Sequence, residues 1–105
     1  MKILAIEHEI PGSTADDFLP LLEDEARQVW ELHMAGTIRE LYFRQERSEA
    51  ILVLECASTA EAGETLARLP LVAAGIIRFE LIALRAYPGF ERLFNRKPFT
   101  SDERG

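Results

Sequence analysis

Apolar residues in this chain alternate between a two-residue and a three-to-four-residue period, and the changes of period divide it into strands and helices. Residues 2–10 read as a first strand closed by Pro11-Gly12. Its even positions are Leu4, Ile6, His8 and Ile10, and its odd positions are Ile3, Ala5, Glu7 and Glu9. Both sets begin apolar and turn polar toward the end, at His8 and at Glu7 and Glu9, which suits a central strand whose C-terminal end reaches a cleft or solvent. Ser13 or Thr14 can then cap a helix, with Asp16 and Asp17 at the positive end of its dipole. The helix runs to about Ala35, with Gly36 just past its end. Leu19, Leu22, Ala26, Val29, Trp30 and His33 form one stripe on it. Pro20 interrupts the pattern and either kinks the first turns or restarts the helix from near its N1 position. Glu23, Asp24, Glu25 and Glu31 lie mostly off the stripe and read as a solvated acidic face.

Residues 37–45 form a second strand, residues 46–49 a polar hairpin turn, and residues 50–56 a third strand. The run Ile51-Leu52-Val53-Leu54 marks the third strand as central and covered on both faces. Ser58-Thr59-Ala60-Glu61 is a capping-box sequence. It opens a second helix through Leu69, with Ala62, Leu66 and Leu69 inward; Gly63 costs this helix about 1 kcal/mol relative to alanine. Pro70 should stop the helix, and a small-residue turn with Gly75 at positive φ should lead into a fourth strand over residues 76–86.

The order is β-α-β-β-α-β. With right-handed crossovers this predicts an α+β, ferredoxin-like sandwich over residues 1–88, with two helices on one face of a four-stranded antiparallel sheet in spatial order 4-1-3-2. The other sheet face stays rich in Leu, Ile and Val with no cover inside the chain. An apolar patch of that size predicts a homodimer packed through its sheets. Residues 89–105 form a tail carrying Phe90, Leu93, Phe94 and Phe99, which should dock on a sheet edge, a cleft mouth or a neighbouring subunit, with disorder from residue 100 onward.

Composition narrows the classes of function. The 105-residue chain suits one domain, and its net charge of −6 argues against a general nucleic-acid binder. The apolar start is too short for a signal-peptide core or a membrane span. The lone Cys56 cannot form an intramolecular disulfide, and a reducing cytoplasm is its simplest setting. His8 and His33 are the only histidines, and Glu7-His8-Glu9 alternates between strand faces, so no metal-ligand set is apparent. There is no Gly-rich phosphate loop and no nucleophile elbow.

From Ser58 to Pro88, the capped helix, Thr65-Leu66-x-x-Leu69-Pro70-Leu71, the pair Phe79-Glu80 and Pro88 follow in the order found in one group of proteins. Gly36-Thr37-x-Arg39-x-Leu41 and Glu55 are weaker echoes of the same pattern. On these residues the chain resembles the muconolactone isomerase-like group of dimeric α+β barrel proteins, over roughly residues 1–88. The resemblance implies sheet-to-sheet dimers, sometimes larger rings, and a small-molecule pocket beside the sheet. It also implies proton transfer on an unsaturated lactone or similar small organic acid, with no metal or organic cofactor.

Proton transfer next to a carbonyl needs a base of tuned pKa and a donor for the developing enolate oxygen. His8 and Glu80 are the candidate acid–base groups. His8 ends the first strand on the Leu4–Ile6 parity, and Glu80 shares a face with Arg78 and Ile82, opposite Ile77, Phe79 and Leu81. The alternative for Glu80 is an ion pair with an arginine across the interface. Arg39 could hold a carboxylate by a bidentate fork, Tyr42 could donate to an oxyanion, and Glu55 and Arg78 could line the same cavity. Trp30 and His33, on the apolar stripe, read as core residues, or as lining if the pocket lies between the first helix and the sheet. Convergence of His8, Glu80 and Arg39 on one cavity would mark an isomerase. An apolar pocket without paired polar groups would mark a non-catalytic ligand-binding or assembly domain. A wide aromatic-lined pocket open to solvent would mark a cofactor-free monooxygenase.

Overall fold

Strand β1 (Lys2–Glu9) lies inside a four-stranded antiparallel sheet, and its position follows from apolar residues on both of its faces. The computed structural model describes residues 1–94. The sheet has the order β2-β3-β1-β4, with β2 at Ile38–Phe43, β3 at Ala50–Glu55 and β4 at Ile77–Ala83. Both crossover segments cover the same face, so the fold is ferredoxin-like α+β. β4 ends three residues earlier than the sequence pattern indicated.

In the first crossover, Thr14 caps helix α1 (Ala15–Phe18), and the Asp17 carboxylate accepts from the Thr14 N–H at 2.8 Å. A 3-10 turn (Leu19–Leu21) with Pro20 in its first positions separates α1 from α2 (Leu22–Met34). The proline therefore acts in both of the ways its position allowed: it breaks the first turns, and the main helix starts anew after it. Helix α2 ends in a Schellman motif, with Gly36 at φ +83° and the Thr37 N–H bonded to the Leu32 carbonyl at 3.0 Å.

In the second crossover, α3 (Thr59–Ala67) begins at Ser58, whose hydroxyl accepts from the Glu61 N–H at 3.1 Å. The Glu61 carboxylate reaches back to the Ala57 N–H rather than to Ser58. The small-residue turn expected after Pro70 is instead a helical turn, α4 (Pro70–Ala73). Leu69 is extended, as a residue before proline prefers, and Pro70 takes the N1 place where its missing N–H costs nothing. Gly75, at φ +74°, closes α4 with the same Schellman pattern as Gly36, the Ile76 N–H bonding the Leu71 carbonyl at 3.0 Å.

The core lies between the sheet and α3, where Ile3, Ala5, Ile38, Leu52, Leu54, Ala62, Leu66 and Leu69 are buried together. A smaller cluster of Leu71, Ile76 and Ile77 receives Phe18 and Leu21 from the first crossover. On the opposite face, Leu4, Ile6, Ile51 and Val53 are half-buried, and Ile82 and Leu84 are exposed. A 3-10 turn (Gly89–Leu93) follows β4, and Phe90, Leu93 and Phe94 stand exposed, Phe94 at 84%. The expectations for Phe99 and for residues 100–105 fall outside the described residues. Among the described residues, no helix is long and apolar enough to cross a membrane.

Candidate active site

The two helices differ in how they meet the sheet. Helix α3 presents Ala62 and Gly63, and a methyl group at Gly63 would meet Leu81 at 3.6 Å. Helix α2 presents Leu22, Val29 and Trp30 and has no buried residue. It touches the core through Val29 and Leu32. Beneath it lies a cleft of about 910 Å³, open on one side. The whole helical stripe read from the sequence, Leu19, Leu22, Ala26, Val29, Trp30 and His33, lines this cleft, and Trp30 is 61% exposed. Trp30 and His33 are therefore lining residues and not core residues.

The floor comes from the odd parity of β1 and its neighbours. The register sets Glu7 beside Phe79, and Ala50, Leu52 and Leu41 complete the surface. Glu7 is the chemically distinctive group, a carboxylate only 5% exposed. Its Oε1 accepts from the Ala50 N–H at 3.1 Å. Burial pushes its pKa above the ordinary carboxylate value; the Ala50 bond opposes this, and the nearby Glu49, Glu25 and Glu9 add to it. Glu25, on the roof, accepts from the Leu71 N–H at 3.0 Å and so ties α2 to α4. Its pKa is also raised, chiefly by burial. His33 Nδ1 lies 2.9 Å from the Ile38 carbonyl oxygen. A carbonyl can only accept, so Nδ1 carries the hydrogen, and Nε2 is left as the acceptor of the neutral ring. The Trp30 and His33 rings lie 6.3 Å apart.

Of the other candidate residues, Tyr42 also borders the cleft, and His8, Arg39, Glu55, Arg78 and Glu80 lie elsewhere. His8 Nε2 and Glu80 Oε1 meet at 3.0 Å, but on the open sheet face, because the even parity of β1 points away from the helices. Arg78 is opposite His8 in the register and also exposed. Arg39 sits at an irregularity in β2 between Ile38 and Glu40, where its Nε donates to the Gly36 carbonyl. Along the strands it stands level with Leu54 and Ile3, about five residues or roughly 16 Å from the level of His8. His8, Glu80 and Arg39 do not converge on one cavity. Glu55 pairs with the N-terminal ammonium, which lowers its pKa. Tyr42 donates to Glu40 at 2.7 Å, and that bond holds its proton, raising its pKa. The side chains of Tyr42 and Glu40 share the open-face parity.

Glu7 carries no role in the sequence pattern, and Glu25, read there as part of a solvated acidic face, is instead half-buried at the cleft and bonded to the Leu71 N–H. The available signal was a carboxylate at the end of an otherwise apolar strand parity. Among the described residues, no group of three or more His, Cys, Asp or Glu side chains is placed to hold a metal ion.

These features define a ferredoxin-like α+β protein with an apolar cleft between one helix and the sheet. Its fold is shared with a crystal structure of muconolactone isomerase: TM-score 0.67, 22% identity, covering 84% of this chain and 92% of that one. It is also similar to 5-chloro-2-hydroxyhydroquinone dehydrochlorinase from Burkholderia phenoliruptrix AC1100, solved in complex with 2,5-dihydroxybenzoquinone. That match has TM-score 0.60, 16% identity, and covers 81% of this chain and 94% of that one. No family model and no curated protein sequence matches the chain.

Proposed function

We propose that the chain binds a small unsaturated ring compound, such as a lactone, in the cleft between α2 and the sheet and moves a proton on it without a cofactor. The observation that carries this reading is Glu7, a buried carboxylate of raised pKa on the floor of an apolar cleft. A base in that state is poised to take a proton from a carbon next to a ring carbonyl and return it at another carbon, which shifts a double bond with no net loss of atoms. His33, with its Nδ1 hydrogen committed to Ile38, has Nε2 as an acceptor for a hydroxyl group on the ring compound. Trp30 and Phe79 supply apolar walls. The fold shared with a lactone isomerase and with an enzyme solved with a quinone supports a ring-shaped ligand.

The subunit is completed by a second copy on the open sheet face, where Leu4, Ile6, Val53 and Ile82 await cover. In that arrangement the His8–Glu80 pair belongs to the interface and not to the chemistry. Sedimentation should give twice the monomer mass; a monomer at micromolar concentration overturns this packing.

The proton-transfer reading is tested by following deuterium uptake from solvent into a bound unsaturated lactone or quinol by NMR. Glu7→Gln keeps the Ala50 hydrogen bond and the shape of the floor. It should slow exchange by about 100-fold or more while ligand affinity stays within a few-fold. Unchanged exchange in this variant removes Glu7 as the base. Binding with no exchange in the wild type makes the protein a ligand-binding domain without turnover. Oxygen uptake with a quinol would make it a monooxygenase.

A further inference from the structure

The charge around the cleft is one-sided. Glu7 lies at the floor, Glu25 in the roof and Glu9 at the rim, and Glu7 is affected by all its carboxylate neighbours. Among the described residues that line the cleft, there is no lysine or arginine. Two arginines of the β2–β3 turn are engaged by a carboxylate: Arg47 Nε lies 2.8 Å and Arg44 Nε 3.7 Å from Oε1 of the buried Glu49. Among the described residues, Glu7 and Glu25 are held by the backbone N–H groups of Ala50 and Leu71. An organic acid entering this space would bring a further negative charge into a low-dielectric, acidic site. Carboxylates and the Ser13 and Thr14 hydroxyls can, however, accept hydrogen bonds from a ligand's hydroxyl groups, and aromatic walls suit a flat ring.

We propose that the cleft selects uncharged, hydroxyl-bearing ring compounds and rejects their carboxylated counterparts, with Glu7, Glu25 and Glu9 as the specificity-determining residues. This deepens the proposed function and rests on its choice of cleft. It also departs from the organic-acid substrate that the sequence resemblance implies. A like charge held about 6 Å from a carboxylate in a partly buried site weakens binding by about 100-fold.

The test is a set of calorimetric titrations on the full chain with matched pairs: hydroquinone against 2,5-dihydroxybenzoate, and an unsaturated γ-lactone against the same lactone bearing a carboxymethyl group. Benzylamine is the cationic arm. The neutral member of each pair should bind about 100-fold more tightly than the acid. Glu7→Gln and, separately, the rim variant Glu9→Gln should narrow that ratio about tenfold or more, mainly by improved binding of the acid. Thermal unfolding verifies that each variant is folded, and Glu9, being exposed, can be changed without touching the core. Equal binding of neutral and acidic partners, or binding of benzylamine no tighter than that of the acids, overturns charge selection and leaves the choice of cleft standing. Failure of every ring compound to bind overturns both.

Discussion

Helices α2 and α3 hold equivalent places in the two βαβ halves, lie on the same sheet face, and end their crossovers with the same glycine motif at Gly36 and Gly75. They differ in what they set against the sheet. Helix α3 offers Ala62, Gly63 and Leu66, comes close, and seals a core in which Leu66 is 2% exposed. Helix α2 offers Leu22, Val29 and Trp30 over Glu7, stands off, and leaves a cleft. One half of a repeated topology thus supplies stability and the other supplies a site. Side-chain volume and one buried carboxylate make the difference, because the backbone plan is common to both.

Truncating one side chain from each helix should separate their two roles most widely. Leu66→Ala should cost about 2–5 kcal/mol in denaturant unfolding, as a large side chain removed from a packed core. Trp30→Ala, on the exposed side of the cleft, should cost less than about 1 kcal/mol but weaken ligand binding at least several-fold. Equal stability losses from the two truncations would mean that α2 packs as α3 does, and the division would fall.

A smaller effect of opposite signs sharpens it. Gly63→Ala should stabilise by about 1 kcal/mol, since the new methyl meets Leu81 at an ordinary 3.6 Å and the helix gains propensity. In a domain of this size that raises the melting temperature by about 4–8 °C. Gly36→Ala, at φ +83°, should lose a comparable amount because alanine is strained there. A stabilising Gly36→Ala would show that the turn does not need its left-handed residue.

The smallest effect is a pH dependence. The folded pKa of Glu7 is raised, so the native state binds its proton more tightly than the unfolded chain does. The favourable contribution is fully present below the ordinary carboxylate pKa and is lost as pH rises through the raised one. Above that point the wild type holds a buried charge that Glu7→Gln lacks. The variant's melting temperature relative to wild type should therefore increase from acid to neutral pH. A difference that is flat with pH would mean that Glu7 is solvated in the folded protein. Exchange activity should move in the same window, falling as acid protonates the base.

Most of the architecture was legible because period, caps and breakers agree. Ser58 caps, Pro20 restarts a helix, Gly36 and Gly75 turn the chain, and the strand parities alternate as the sheet requires. The site was half legible. The stripe ending in Trp30 and His33 marks one wall of the cleft, but a helical stripe looks alike whether its helix is pressed down or held off. The floor was harder. In β1 both parities are apolar and both end in an ionisable group, so periodicity alone cannot decide whether Glu7 or His8 faces the helices. That choice is made by pairing: Ile3, Ala5 and Glu7 line up with Leu54, Leu52 and Ala50 under the crossovers. Arg39 was displaced by an irregularity in β2 that no residue in the stretch announces.

The place of β1 between β3 and β4 has a consequence for how the chain emerges during synthesis. The first strand made is the one whose partners are made last, since Ile3 pairs with Leu54 on one side and Ala83 on the other. While a ribosome adds residues at about 5–20 per second, β1 waits with both edges unpaired. It gains one neighbour when β3 appears and the other only when β4 has left the exit tunnel. The core, which needs α3 against the completed sheet, closes only once β4 is available. A chain halted before residue 77 carries an apolar strand with one open edge, the form most exposed to wrong pairing.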